Sequence, residues 1–191
     1  MEGTPRRRGG LEQATYTWGN EFKPGNRQMA NVWQGQQSLA FPVVPSKDLV
    51  VSPRAGGAVG TSPVGTFPPN GYGLSDMTGN AWQWVADWYR ADQFERVASS
   101  GEAQVDPKGP HGGWDPDDPG VPVDAPKRVT RGGSFLCNED FCPSYRPSAR
   151  RGTAPFTSMS HLGFRLVMDD SAWRASQQRM AFGAPHKSDP S

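Results

Sequence analysis

The sequence is short of cysteine, of net charge and of long apolar runs. Its 191 residues include two cysteines, and 20 basic residues nearly balance 19 acidic ones, which gives a net charge of +1. Two cysteines exclude a disulfide-rich scaffold, and the balanced charge gives no overall footprint of a nucleic-acid-binding protein. No run of consecutive apolar residues is longer than three, which predicts neither a membrane span nor the core of a signal peptide.

Glycine, proline and aromatic residues are abundant instead. The chain has 23 Gly, 19 Pro, 7 Trp and 9 Phe, and Gly and Pro together are roughly twice as frequent as in an average protein. This composition excludes a long-helix bundle or a coiled coil, whereas the aromatic rings supply enough buriable surface for a core. We therefore expect one loop-rich globular domain.

By composition the chain divides into three parts. Residues 1–8 are a polar, basic end, residues 9–170 carry the aromatic and turn-rich domain, and residues 171–191 form a polar tail. Inside the domain, a proline-rich stretch at about 104–127 is typical of an insertion without regular structure, because proline interrupts helices and strands alike.

Three short strands are predicted inside the domain. Over residues 81–89, apolar side chains recur at every second position, which favours a half-buried strand over a helix. The residues on its predicted inner face are Trp82, Trp84, Ala86 and Trp88. A second strand is expected over 128–136, where the glycine pair 132–133 indicates a bulge or a close approach of backbones. Residues 161–168 form the third predicted strand.

The spacing of the two cysteines leaves four interpretations open. Cys137 and Cys142 would be buried structural thiols, or they would form a local disulfide that removes little chain entropy. A zinc site needs two more ligands, and His111, His161 and His186 show no paired spacing. The fourth interpretation is a pair of thiolates for a soft monovalent metal such as Cu(I).

The residues around the cysteine pair form an ordered set of motifs. Residues 131–137 are RGGSFLC, Cys142 follows, and LGFR occupies residues 162–165. Upstream, in the same order, lie GGL (9–11), ANVWQG (30–35), PPNGYGL (68–74), DMTGNAWQW (76–84) and PKGP (107–110). Together, over about residues 9–168, they resemble the formylglycine-generating enzymes, also called sulfatase-modifying factors, and specifically the C-terminal catalytic part of that family.

This resemblance implies an α+β, C-type-lectin-like fold with little regular secondary structure, incomplete at the N-terminus. It implies copper-dependent oxidation by molecular oxygen of a cysteine, in a sulfatase Cys-x-Pro-x-Arg motif, to Cα-formylglycine. The expected partner is an unfolded sulfatase polypeptide, with neither nucleic acid nor membrane involved. The chain is expected to be a monomer, cytoplasmic if bacterial. The alternatives are a non-catalytic, lectin-like binding or regulatory paralogue, or another oxidative activity of the superfamily.

The resemblance also assigns roles to single residues. Cys137 and Cys142 would hold Cu(I) as thiolates, while Ser134 and Trp82 align with an active-site serine and tryptophan. Because residues 134 and 137 face opposite sides of a strand, a kink at the preceding glycine pair would be needed to bring them together. Pro143 would open a helix whose N-terminus favours the thiolate of Cys142.

Near the cysteines, two acidic residues and two departures from the family pattern stand out. Glu139 and Asp140 are candidates to bind the arginine of the substrate, although a solvated pair explains them equally well. Asn138 and Phe141 stand where the family often has His and Tyr, which alters the hydrogen bonding around the thiolates.

Structural calcium is the last implication of the resemblance. One implied site begins at Asn31 and Val32. The other would alternate side-chain and backbone oxygens from Asp76, Gly79, Ala81 and Gln83. Since glutamine stands at position 83 where the family usually has glutamate, we expect weaker affinity there.

Overall fold

The protein is described here by a computed structural model. It describes residues 10–33, 60–101, 107, 109–139 and 142–183. The predicted basic end, part of the predicted tail and the first residues of the predicted insertion lie outside these ranges. Among the described residues, neither α-helix has the length and hydrophobicity that crossing a membrane requires.

In the described ranges, short strands, two α-helices and two single 3-10 turns make up the regular structure. The strands are β1 (Trp82–Trp88), β2 (Arg128–Arg131), β3 (Arg151–Thr153) and β4 (Leu162–Gly163). The helices are α1 (Gln93–Ser100) and α2 (Asp170–Gly183), and the 3-10 turns span Pro24–Asn26 and Pro143–Tyr145.

The four strands form one mixed sheet in the order β3-β2-β1-β4. β1 pairs with β2, and β2 with β3, in antiparallel fashion, whereas β4 runs parallel to β1. A small mixed sheet with few helices, joined by long irregular segments, confirms the predicted mixture of α and β structure with little regular secondary structure.

β1 confirms the strand predicted over 81–89 but not its continuous inner face. Trp82 is buried, Trp84 and Trp88 are half-buried, and Ala86 is exposed. The register with β2 shifts between Trp84 and Trp88, and an irregularity of this kind interrupts the alternation of side chains between faces.

The second and third predicted strands are shorter than expected. β2 ends at Arg131 because Gly132 and Gly133 have positive φ angles of 94° and 64°, which a regular ladder does not accommodate. A Cβ atom on Gly133 would lie 2.9 Å from the backbone nitrogen of Tyr145, so the close backbone approach is confirmed. The prediction of a strand over 161–168 was wrong beyond β4, where the apolar side chains are mostly exposed to solvent.

The proline-rich insertion is anchored by one buried lysine. The Lys127 side chain is 5% exposed, and its ammonium lies 2.7 Å from an Asp115 carboxylate oxygen and also contacts Asp118. Burial alone would lower the pKa of Lys127, but hydrogen bonds and attraction from the two aspartates raise it overall. The described part of the insertion contains neither helix nor strand, only an isolated bridge between Arg90 and Trp114.

The core is an aromatic cluster that includes both cysteines. Its buried members are Tyr16, Ala30, Val32, Trp82, Cys137, Cys142 and Tyr145, with Trp18, Phe22 and Leu162 packed against them. The Tyr16 ring stacks on Trp18 at 5.1 Å and on Tyr145 at 6.2 Å between centroids. Burial of such rings is a large favourable contribution to folding, and the cysteine pair belongs to this buried cluster.

Candidate dithiol site

The two cysteines are joined in a disulfide. Cys137 and Cys142 lie with their Cα atoms 4.7 Å apart, and both residues are buried. Of the four interpretations left open by their spacing, the structure shows the local disulfide. It therefore differs from the expectation of two free thiolates, and a metal site at this pair requires the bond to be reduced first, because thiolates are the ligands.

Two backbone turns, one ending at each cysteine, bring the cysteines together. The amide of Cys137 donates to the carbonyl of Ser134 at 3.0 Å, and the amide of Cys142 donates to the carbonyl of Asn138 at 3.1 Å. The predicted helix after Cys142 is confirmed only as the 3-10 turn Pro143–Tyr145. A single turn adds few aligned peptide dipoles, so the expected stabilisation of a Cys142 thiolate by a helix end has no basis here.

The structure brings Ser134 next to the cysteine pair. Ser134 is 1% exposed, and its hydroxyl oxygen accepts a hydrogen bond of 3.2 Å from the amide of Leu136. The kink needed to place Ser134 beside Cys137 is present at the glycine pair, where both residues take left-handed conformations. Ser134 is therefore a fixed, buried group at the start of the cysteine turn.

Trp82 lies in the same buried cluster as both cysteines, at the beginning of β1. Its backbone amide donates to the carbonyl of His161 at 2.8 Å, and the Arg151 guanidinium lies 5.6 Å from the centre of its ring. The side chain is thus held from the strand side and covered by a cation. Trp82 therefore contributes a large aromatic side chain to the buried cluster that contains the cysteines.

A hydrogen-bonded group that the sequence did not reveal borders the cysteine loop. The Tyr16 hydroxyl donates to Glu139 Oε1 at 2.6 Å, and Arg146 Nη2 donates to the same oxygen at 3.3 Å. Burial, and then the Glu139 carboxylate, raise the pKa of Tyr16. Arg146 Nε is buried without a hydrogen-bond acceptor in the described part of the chain. Since Tyr16 precedes Glu139 by 123 residues, no local sequence signal predicts this contact.

The acidic pair predicted to bind a substrate arginine is only half described. Glu139 already accepts hydrogen bonds within the protein, so a substrate guanidinium would have to compete with Arg146 for it. Asp140 and Phe141 lie outside the described residues. Asn138 is buried and contributes its carbonyl to the cysteine turn.

The side chains at the predicted calcium site around Asp76 do not fit the ion. Gln83 Nε2 donates to the carbonyl of Asp76 at 2.7 Å, and Gln83 Oε1 accepts from Arg165 Nε at 2.8 Å. Asp76 Oδ2 accepts from the amide of Gly65 at 2.8 Å. The Arg165 guanidinium therefore already binds the Gln83 oxygen that a calcium ion would need. In the described ranges, no three His, Cys, Asp or Glu residues are grouped as metal ligands.

The other two residues of that site have backbone roles. The Gly79 amide donates to the carbonyl of Gly132 at 2.7 Å, and a Cβ on Gly79 would lie 2.3 Å from the carbonyl oxygen of Asn31. Ala81 immediately precedes β1. These contacts connect the segment to its neighbours through the backbone.

The second predicted calcium site has one suitable atom. Asn31 Nδ2 donates to Gly60 and to Asn80, whereas Asn31 Oδ1 is buried without a partner among the described residues. Val32 is packed in the core. An unpaired buried oxygen suits a hard cation, but residues 34–59, which follow it, lie outside the described part, so this site stays a prediction.

Comparison with known proteins agrees with the motifs. Residues 6–170 match the model of the Sulfatase-modifying factor enzyme 1-like domain. The chain is 43% identical over 162 residues to the formylglycine-generating enzyme of Thermomonospora curvata, covering 85% of this chain and 45% of that protein. It is 40% identical over 162 residues to the formylglycine-generating enzyme of Bos taurus, covering 85% and 36% of the two chains.

A third relative carries a different description. The inactive C-alpha-formylglycine-generating enzyme 2 of Bos taurus is 33% identical over 163 residues, covering 84% of this chain and 39% of that protein. The chain thus spans less than half the length of each of these relatives. The family match covers most of the chain, including both cysteines, Ser134 and Trp82, and with it the resemblance seen in the sequence is confirmed: this chain belongs to the family of Sulfatase-modifying factor enzyme 1-like domains.

Proposed function

We propose that this chain supplies the dithiol that converts a sulfatase cysteine to Cα-formylglycine, in a domain of the C-type-lectin-like kind. Family membership supports the reaction class. The observation that carries the proposal is the buried Cys137–Cys142 pair, held at a Cα separation of 4.7 Å on an aromatic core beside Ser134 and Trp82. Once the bond between them is reduced, the sulfurs can move apart on this short Cα separation and bind one metal ion together.

The residues present fit copper. When reduced, Cys137 and Cys142 offer two thiolates, which are the donors that Cu(I) prefers over oxygen and nitrogen ligands. When bound there, copper would supply the electron chemistry with molecular oxygen that side chains lack. The protein has to bind the ion, orient the substrate thiol toward it and limit the access of water.

The surrounding residues are suited to these tasks. Trp82 and Tyr145 lie in the same buried cluster as the cysteines, and apolar surroundings of this kind exclude water from a site. Ser134, fixed by its contact with the amide of Leu136, holds a hydroxyl at the beginning of the cysteine turn. A substrate thiol that enters from the solvent side would meet a site whose geometry is already set by packing, and such preorganisation is what positioning requires.

The substrate in this proposal is an unfolded sulfatase segment with the Cys-x-Pro-x-Arg motif, because an extended peptide can reach a buried pair that a folded protein would not. The net change replaces the SH group and one Cβ hydrogen of the substrate cysteine by an aldehyde oxygen. Water supplies the aldehyde oxygen, sulfur leaves as hydrogen sulfide, and the two electrons and two protons released reduce molecular oxygen to hydrogen peroxide. We propose a monomer that needs neither nucleic acid nor a membrane, and a cytoplasmic site of action if the source is bacterial.

Copper binding is the first test. The reduced protein is titrated with Cu(I) against a competing chelator, and we expect one tightly bound ion per chain. Cys137→Ser and Cys142→Ser each abolish tight binding, because one thiolate is left. His111→Ala is the matched control, since His111 is a possible copper ligand on the surface and its loss leaves binding unchanged. Equal affinity in the serine variants would contradict the proposal.

Peptide conversion is the second test. The copper-loaded protein is incubated with a Cys-x-Pro-x-Arg peptide under air, and the peptide is analysed by mass spectrometry for the aldehyde. The alternative, a non-catalytic binding or regulatory paralogue, is favoured by one observation, the similarity to an inactive relative. Full copper loading without any change in peptide mass would support that alternative, or an oxidative activity on another substrate.

A further inference from the structure

The loop between the two cysteines is held from outside by a residue far away in the chain. Glu139 lies inside this loop, two residues after Cys137, and its Oε1 accepts the Tyr16 hydroxyl at 2.6 Å and Arg146 Nη2 at 3.3 Å. Arg146 follows Cys142 by four residues. We call Tyr16, Glu139 and Arg146 the carboxylate clamp.

The donor of the shortest bond in the carboxylate clamp is rigid. The Tyr16 residue is 4% exposed, and its ring stacks between Trp18 and Tyr145 at centroid distances of 5.1 and 6.2 Å. A phenol packed in this way cannot follow the loop if the loop moves. The position of Glu139 is therefore fixed by a hydrogen bond to a core residue as well as by its neighbours in sequence.

The opposite side of the loop is fixed by the same aromatic layer. Tyr145 is fully buried, and its backbone lies against Gly133, just before the cysteine turn begins. The next residue is Arg146, whose guanidinium donates to the same Glu139 oxygen as the Tyr16 hydroxyl. Residues before, within and after the cysteine loop are thus connected through Tyr16 and Tyr145.

We propose that Tyr16, Glu139 and Arg146 are positioning residues for the dithiol. They hold the cysteine loop closed, so that the two sulfurs stay adjacent both as a disulfide and as a thiolate pair ready for one ion. The proposal rests on the proposed function insofar as this dithiol is the catalytic pair. It adds a specific role for Tyr16, Glu139 and Arg146, which the motif resemblance does not assign.

Adjacency of the sulfurs can be measured without copper or substrate. In glutathione buffers, the protein disulfide and two glutathione thiols exchange with the protein dithiol and one glutathione disulfide, a balanced two-electron reaction. A loop that is held closed favours the protein disulfide. Loss of a hydrogen bond to a half-exposed carboxylate should lower the equilibrium constant for disulfide formation about three- to tenfold. Tenfold corresponds to about 30 mV for this couple.

The variants are Tyr16→Phe, which keeps the stacked ring and removes the hydroxyl, and Glu139→Ala. Each should lower the equilibrium constant about three- to tenfold. The double variant should lower it by less than the product of the single effects, because Glu139→Ala already removes the acceptor of the Tyr16 hydroxyl. Tyr72→Phe and Glu12→Ala are the matched controls, since both side chains are exposed, and they should stay within about twofold of the wild type.

The proposal would be overturned if the equilibrium constants for disulfide formation in Tyr16→Phe and Glu139→Ala stayed within about twofold of the wild type. Single effects that multiply in the double variant would overturn it as well. If Tyr16→Phe fails to fold, Glu139→Ala decides alone, because its side chain is half-exposed. Shifted constants in a protein that converts no peptide would leave the positioning role standing and remove the proposed function. Peptide conversion with unshifted constants would remove the positioning role alone.

Discussion

Replacing Gly133 by alanine tests the backbone contact on which the cysteine turn is built. The added Cβ would lie 2.9 Å from the backbone nitrogen of Tyr145 and 3.0 Å from its Cα and Cβ atoms, at a φ of +64°. The left-handed conformation costs an L-residue about 1–2 kcal/mol, and overpacking against a fixed neighbour costs about 1–3 kcal/mol more. We expect the free energy of unfolding to fall by about 2–5 kcal/mol.

Two other glycines separate the two contributions in the same urea-unfolding assay. Gly73 also has a positive φ, of +74°, but a Cβ there meets nothing within 4 Å. Gly73→Ala should therefore show the conformational cost alone, about 1–2 kcal/mol. Gly112 has neither constraint, and Gly112→Ala should change stability by less than about 0.5 kcal/mol. If Gly133→Ala costs no more than Gly73→Ala, the close approach to Tyr145 is refuted as a determinant of stability.

Three further predictions concern the insertion, the calcium residues and the serine. The folded-state pKa of Lys127 is raised above its ordinary value of 10.5, so its ion pairs contribute fully below pH 10.5 as long as Asp115 and Asp118 are ionised. The stability advantage over Lys127→Met should disappear as pH rises through the folded-state pKa, measured by urea unfolding at increasing pH. Asp76→Asn should leave any effect of added calcium on the melting temperature unchanged, since the Arg165 guanidinium already binds Gln83 at the predicted calcium site. Loss of a calcium response in this variant would contradict the conclusion that the side chains around Asp76 do not fit the ion. Ser134→Ala leaves the amide of Leu136 without its acceptor and should cost about 1–3 kcal/mol in urea unfolding, and an unchanged midpoint would show that the hydroxyl is dispensable.

The features that were predictable from the sequence are local ones. Alternation over 81–89 predicted a strand because side chains of a strand point to opposite faces in turn, and β1 follows it. The glycine pair before Ser134 predicted a kink because glycine readily adopts positive φ, and both residues do so. The cysteine pair was recognised, although spacing alone could not decide between thiols and a disulfide.

The features that escaped prediction depend on contacts between distant segments. The register shift between Trp84 and Trp88 arises in pairing with β2, some forty residues later. The bond from Tyr16 to Glu139 joins residues 123 positions apart, and neither residue type announces such a partner. The sequence predicts weak calcium binding at Gln83 because glutamine has no carboxylate. It does not predict that the amide oxygen of Gln83 accepts a hydrogen bond from Arg165, as the structure shows.

The segment that follows β4 has a consequence for handling the protein. Phe164 is 70% exposed, Leu166 88% and Met168 57%. Ordered water around such side chains is released whenever two molecules touch through them, and that release favours association. Light scattering should therefore rise faster than in proportion to protein concentration, and titrations are best performed on dilute, freshly filtered solutions so that colloidal clustering does not mask the binding signal.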